Sequence, residues 1–143
     1  MATSSPGGRL RRLGASIAGL PLWVQAWLIV LASTNMASLA YLDSPVGVWT
    51  AVAFAAVAAA NMPLMLLQGG MTRLLALPHF LWFPLVGWLL VRLFGSDPLP
   101  AGSDERAYAL LVVIVNGISL AFDVPDSIKW WRGEREILGL QRR

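Results

Sequence analysis

The chain has 143 residues, of which 57% are hydrophobic and only 13% charged, where a soluble domain carries roughly 25%. It has no cysteine and a single histidine, which excludes disulfides, thiolate metal sites, cysteine nucleophiles and any multi-histidine metal site. The net charge of +3 does not point to nucleic acid, because the basic residues stand at the ends of apolar runs, as topology signals in a membrane protein do; no cofactor is implied.

Residues 1–8 (MATSSPGG) read as a disordered polar lead. From Arg9, the apolar residues Leu10, Leu13, Ile17 and Leu20 recur at helical spacing beside Arg9, Arg11 and Arg12. That pattern predicts a short basic amphipathic helix on the membrane surface, with a flexible basic flank as the competing reading. The first span covers 21–42. Pro21 suits a first helical turn, where its missing N–H is not needed, and Trp23 and Trp27 suit the interface. Arg9–Arg12, the apolar run and Ser38-Leu39-Ala40 also resemble a cleavable signal peptide. The length of the run, Gln25 within it and the further spans behind it argue against cleavage.

Asp43-Ser44-Pro45 predicts a tight turn, and the second span covers 46–67. Ala51, Ala55 and Ala59 lie four apart, a spacing that lets membrane helices approach closely, so this span is expected to be the central, protein-covered helix. Pro63 is expected to free a carbonyl close to Asn61. A turn through Gln68-Gly69-Gly70 leads to the third span, 73–94, interrupted by Pro78 and Pro84; Pro78 is the alternative start, with 73–77 as an interfacial turn. Arg92 sits near the far end, where it can snorkel to the headgroups.

The Gly-, Pro- and acid-rich stretch 95–105 is the one long loop. Ser103-Asp104-Glu105 places a cap and negative charge where the fourth span, 106–124, begins. Pro125 is expected to open a separate interfacial tail helix over 126–143, with Trp at headgroup level. Together these elements predict an all-α polytopic membrane protein of four transmembrane helices with short amphipathic flanking helices.

Orientation follows from the charges. Nine of the eleven Lys and Arg residues lie in the N-terminal flank, the 68–73 turn and the C-terminal tail; only Arg92 and Arg106 lie in the other two segments, among Asp43, Asp97, Asp104 and Glu105. Positive residues stay inside, so both termini are expected in the cytoplasm. One lysine against ten arginines, with abundant Ala, Gly and Leu, suggests a GC-rich bacterial genome and hence the inner membrane.

Polar residues inside spans are costly and face protein or water. At about 1.5 Å per residue, Gln25, Asn61, His79 and Asp123 fall at one depth near the cytoplasmic boundary. They form a candidate belt around a vestibule, in which His79 can exchange protons with Asp123 beside it. The competing reading is that these groups only bond one another and pin the bundle. Asn35 and Asn116 lie deeper, and for Asn116 a helix–helix hydrogen bond is expected. Arg73, Lys129, Arg132 and Arg135 are candidates for lipid headgroups. No base is expected beside Ser33 or Ser119, and no catalytic motif is present.

The functional expectation is a homo-oligomeric channel or small transporter subunit, with the alanine face of span two as the subunit interface. The alternative is a non-catalytic accessory or scaffold protein that binds a membrane partner or anionic lipid. A lipid-acting enzyme ranks last.

Overall fold

The computed structural model describes residues 6–140. The polar lead 1–5 and the final Gln141-Arg142-Arg143 lie outside the described residues. The order is α1 (Pro6–Ala18), α2 (Leu22–Met36) continued by a 3₁₀ turn (Ala37–Tyr41), α3 (Pro45–Gln68), a 3₁₀ segment (Arg73–Leu81) running into α4 (Trp82–Phe94), and α5 (Asp104–Trp131). Among the described residues four helical stretches are long and apolar enough to cross a bilayer: Leu22–Tyr41, Pro45–Gln68, Arg73–Phe94 and Asp104–Trp131. The chain is an all-α polytopic membrane protein.

Helix ends follow from local chemistry. Ser44 caps α3 by accepting the Gly47 N–H at 3.2 Å, with Pro45 in the first turn. Ser103 caps α5 by accepting the Arg106 N–H at 3.2 Å, with Asp104 and Glu105 against the positive end of the helix. α3 ends in Gly69 at φ +70, the left-handed conformation that spares glycine a steric penalty.

Several boundaries differ from expectation. Residues 6–8 belong to the first turn of α1 rather than to a disordered lead. Pro63 and Pro125 lie inside α3 and α5. Pro125 therefore does not start a new helix, and α5 runs through 28 residues, about 42 Å, well beyond a hydrocarbon core of roughly 30 Å. Its last turn carries Lys129, Trp130 and Trp131, residue types that suit the membrane interface. Beyond Trp131 the tail is not a helix but an irregular strap that folds back on the bundle.

Span three is the most altered. Pro78 and Pro84 each lack an N–H, so one α ladder from 73 to 94 would be broken twice. The chain instead takes the 3₁₀ form to Leu81 and begins α4 at Trp82. Pro84 then falls in a first turn, where no i−4 bond is required. Pro78 lies within the 3₁₀ segment and marks no start.

The central helix is α5, not α3. In the apolar window of span four, 39% of residues are buried, against 11% in span two. Ala55 and Ala59 are exposed and Ala51 half-buried, because the face of α3 that meets the bundle is Val46, Thr50 and Val57. The alanine stripe turns away from the other spans of its own chain. Val112 and Ala109 of α5 pack instead with Leu31, Val46, Leu89 and Leu93 into a continuous apolar core.

One polar pair crosses that core. Asn35 donates to Asn116 Oδ1 at 2.8 Å and Asn116 donates back to Asn35 Oδ1 at 3.1 Å, both side chains fully buried. Beside it Tyr41 and Tyr108 stack at 4.5 Å, and the Tyr108 hydroxyl donates to the Thr34 carbonyl at 3.0 Å. The amide pair fixes the register of spans one and four, since a slip of either helix leaves two amides unbonded in an apolar interior. In SDS-mixed-micelle unfolding, Asn35→Ala and Asn116→Ala should each lose about 1–2 kcal/mol, with a double-mutant coupling of about 0.6–1.7 kcal/mol. Strict additivity would show that the pair contributes nothing to the association of these spans.

Candidate functional site

The 3₁₀ form of Arg73–Leu81 builds the site. With three residues per turn, side chains at i and i+3 eclipse, so Arg73, Ala76 and His79 fall in one row. The row continues into Trp82, on whose ring the His79 imidazole stacks at 4.5 Å and 6°. An α-helix would have fanned these side chains apart.

His79 is gripped from two other helices. Its Nδ1 lies 3.0 Å from Asp123 Oδ2 on α5, and its Nε2 lies 3.2 Å from Asn61 Nδ2 on α3. Ser119, one turn before Asp123, donates its hydroxyl to the same Oδ2 at 3.1 Å. These contacts fit a neutral imidazole that carries its proton on Nδ1, donates to the carboxylate and accepts from the Asn61 amide. Asn61 Oδ1 is buried without a partner. A half-turn of that amide would present this oxygen to Nε2, so the same three residues also fit an imidazolium.

Three of the four expected belt residues meet here: Asn61, His79 and Asp123. Gln25 does not join them. Its amide donates to the Leu20 carbonyl at 2.8 Å and to that of Ala18 at 3.3 Å, satisfying carbonyls left open at the end of α1. Ser119 is the member the sequence reading missed. The signal was its i, i+4 spacing to Asp123 on one helix face, so the expectation that Ser119 has no ionisable neighbour is corrected.

Beside the cluster lies a cavity of about 980 Å³ between span one, the 3₁₀ segment and α5. Gln25, His79, Ser119 and Asp123 all line it. Its lining reaches no farther toward the acidic end of the bundle than Leu31, His79 and Ser119.

The basic end carries a clasp. Ser16 of α1, fully buried, accepts the Met71 N–H at 2.9 Å and donates to the Leu138 carbonyl at 2.6 Å, while the Leu138 N–H donates to the Met71 carbonyl at 2.8 Å. Gly139, at φ +77, meets the Ser16 carbonyl and Gly19 backbone so closely that no side chain fits. Leu138 and Gly139 thereby floor the cavity.

Arg73 was expected at lipid headgroups. It is instead drawn into the protein by Glu134 at 3.1 Å and Asp126 at 3.6 Å, two acids that the strap and the extended α5 bring to it. Lys129, Arg132 and Arg135 are exposed, and the Arg135 guanidinium lies 5.4 Å from the centre of the Trp130 ring. At the opposite end Arg92 pairs with Asp97 at 3.5 Å, and Arg106 donates to the Leu93 and Leu99 carbonyls at 2.9 and 3.0 Å.

Compared with protein families, curated proteins and solved structures, the chain matches none. The clasp makes a direct prediction. Ser16→Ala removes both bonds of the hydroxyl, and two lost bonds of about 1 kcal/mol each raise local opening roughly thirtyfold. Tryptic cleavage after Arg135 in mild detergent, followed by mass spectrometry, should quicken by that factor, and Gly139→Ala should do the same. Unchanged cleavage in both variants would mean that the clasp does not hold the strap.

Proposed function

We propose that the chain is a subunit of a homo-oligomeric channel or small transporter, in which His79 and Asp123 exchange protons at a pocket open to the cytoplasmic side. The observation that carries this reading is the convergence of His79, Ser119 and Asp123, from two spans, on a single cavity at the basic end, with Asn61 of a third span bonded to the same imidazole. Ionisable groups held within membrane helices are expensive and mark ion or proton paths more often than not. Because this cavity does not extend past Leu31, His79 and Ser119, a complete path needs a second copy or a rearrangement of spans. The exposed face of α3 with Ala55 and Ala59 suits close packing against another helix.

The exposed face of α3 and the exposed Lys129, Arg132 and Arg135 favour a second reading, a non-catalytic accessory protein that docks a membrane partner through that face or anionic lipid through its basic end. Flux separates the two. Proteoliposomes loaded with a pH-sensitive dye and driven by a potassium diffusion potential should acidify with the wild type. His79→Ala and Asp123→Asn should fall to the rate of empty vesicles at equal reconstitution. If both variants conduct protons as the wild type does, the transport reading is lost.

The orientation is proposed from the same charges. The bacterial inner membrane, with both termini in the cytoplasm, is the arrangement that keeps α1, the 68–73 turn and the tail on the positive side. A fluorescent reporter fused after Arg143 should be bright and an alkaline phosphatase fused there inactive; the reverse pattern would invert the topology.

A further inference from the structure

We propose that the cavity beside His79 and Asp123 binds a hydrophobic organic cation, of the type of a bulky quaternary ammonium or phosphonium. The assignment names the cargo class for the transport reading above and rests on that reading for its physiological sense, but binding itself can be read without flux.

Size is the first argument. A proton path needs a file of side chains and waters, whereas an open cavity of about 980 Å³ has room for a whole organic ligand. The walls are the second. Trp23, Trp27, Leu31 and Phe122 line the cavity, and the Trp23 and Phe122 rings stand 6.3 Å apart, tilted by 47°. Such walls strip a small hydrated ion of its water without replacing it, but they welcome apolar substituents, and aromatic faces attract a cation.

Charge is the third argument and decides the sign. The cavity is lined by two carboxylates, Asp123 and Asp126, against one guanidinium, Arg73. Arg73 is already shared between Asp126 and Glu134. Asp123 is left with His79 and Ser119, and both bond the same oxygen, Oδ2; among the described residues its Oδ1 accepts no hydrogen bond. With His79 neutral, this carboxylate, only 9% exposed, has no counter-charge, and a buried charge needs one. A ligand cation supplies it. An anion would meet two acids, and a neutral ligand would bury Asp123 still unpaired. Span one contributes no charge to the cavity, only Gln25, whose amide is occupied with carbonyls.

Access fits the same ligand. Leu22, Trp23 and Phe122 line the cavity and are exposed, and tryptophan favours the interfacial level, where an amphiphilic cation concentrates.

The test is equilibrium binding of radiolabelled tetraphenylphosphonium to the purified full chain in dodecyl maltoside. Tetraphenylborate, of the same shape and opposite charge, is the comparison. The phosphonium should bind saturably and at least about tenfold more tightly than the borate; Asp123→Asn should weaken it about tenfold or more, and Trp27→Ala several-fold with every charge intact. Asp97→Asn, at the opposite end, should leave it unchanged. Circular dichroism checks that each variant is folded, and if Asp123→Asn is not, Trp27→Ala carries the test. No saturable uptake, equal binding of the borate, or wild-type affinity in folded Asp123→Asn or in Trp27→Ala would each overturn the site. A chain that binds the phosphonium but passes no protons keeps this site and loses the transport reading. One that passes protons through His79 while ignoring the phosphonium does the opposite.

Discussion

A backbone that crosses lipid has to bond its own N–H and C=O groups, and span three contains two residues with no N–H to offer. That constraint shapes the site. Pro78 and Pro84 turn the first part of the span into a 3₁₀ segment and place the α-helical start at Trp82. The tighter winding lines up Arg73, Ala76 and His79 and lays the imidazole on Trp82. Everything that grips His79 depends on this row. Asp123 reaches Nδ1 from α5 and Asn61 reaches Nε2 from α3 because the imidazole is presented edge-on between those helices, its face occupied by the indole.

The two polar groups inside the bundle serve different ends, and their hydrogen-bond accounting separates them. The Asn35–Asn116 pair is closed: each amide gives and receives one bond with the other, and the side chains are fully buried. The two side chains face each other across the core, so the pair holds spans one and four in register. The His79 cluster is open. Among the described residues Asn61 Oδ1 has no partner and Asp123 bonds through Oδ2 alone, and a cavity lies alongside. A network with spare acceptors beside a cavity can take up a proton or a ligand without breaking the helix contacts around it.

At the basic end, three segments far apart in the chain become one surface. α1, the 69–72 turn and the strap meet at Ser16, Met71 and Leu138. Arg73 ties the base of span three to the end of α5 and to the strap through Asp126 and Glu134. The cavity thus has a floor made of the chain's two ends, and its shape is coupled to whether the strap stays seated.

Four apolar stretches of spanning length, their caps at Ser44 and Ser103, and the segregation of basic from acidic ends are all written in the sequence, because each depends only on local composition and on neighbours within a turn or two. The common depth of Asn61, His79 and Asp123 is likewise a matter of counting residues along four rods. Which helix is central could not be counted. The alanines of α3 suited close packing, yet the burial went to α5, because that depends on which faces the other spans turn toward a helix. The 3₁₀ form of span three, the bond of Ser119 to Asp123, the capture of Arg73 by Asp126 and Glu134, and the return of the strap to Ser16 were decided only by the fold. Each joins groups from different elements or turns on a backbone choice between two nearby helical forms, and neither is fixed by hydrophobic periodicity.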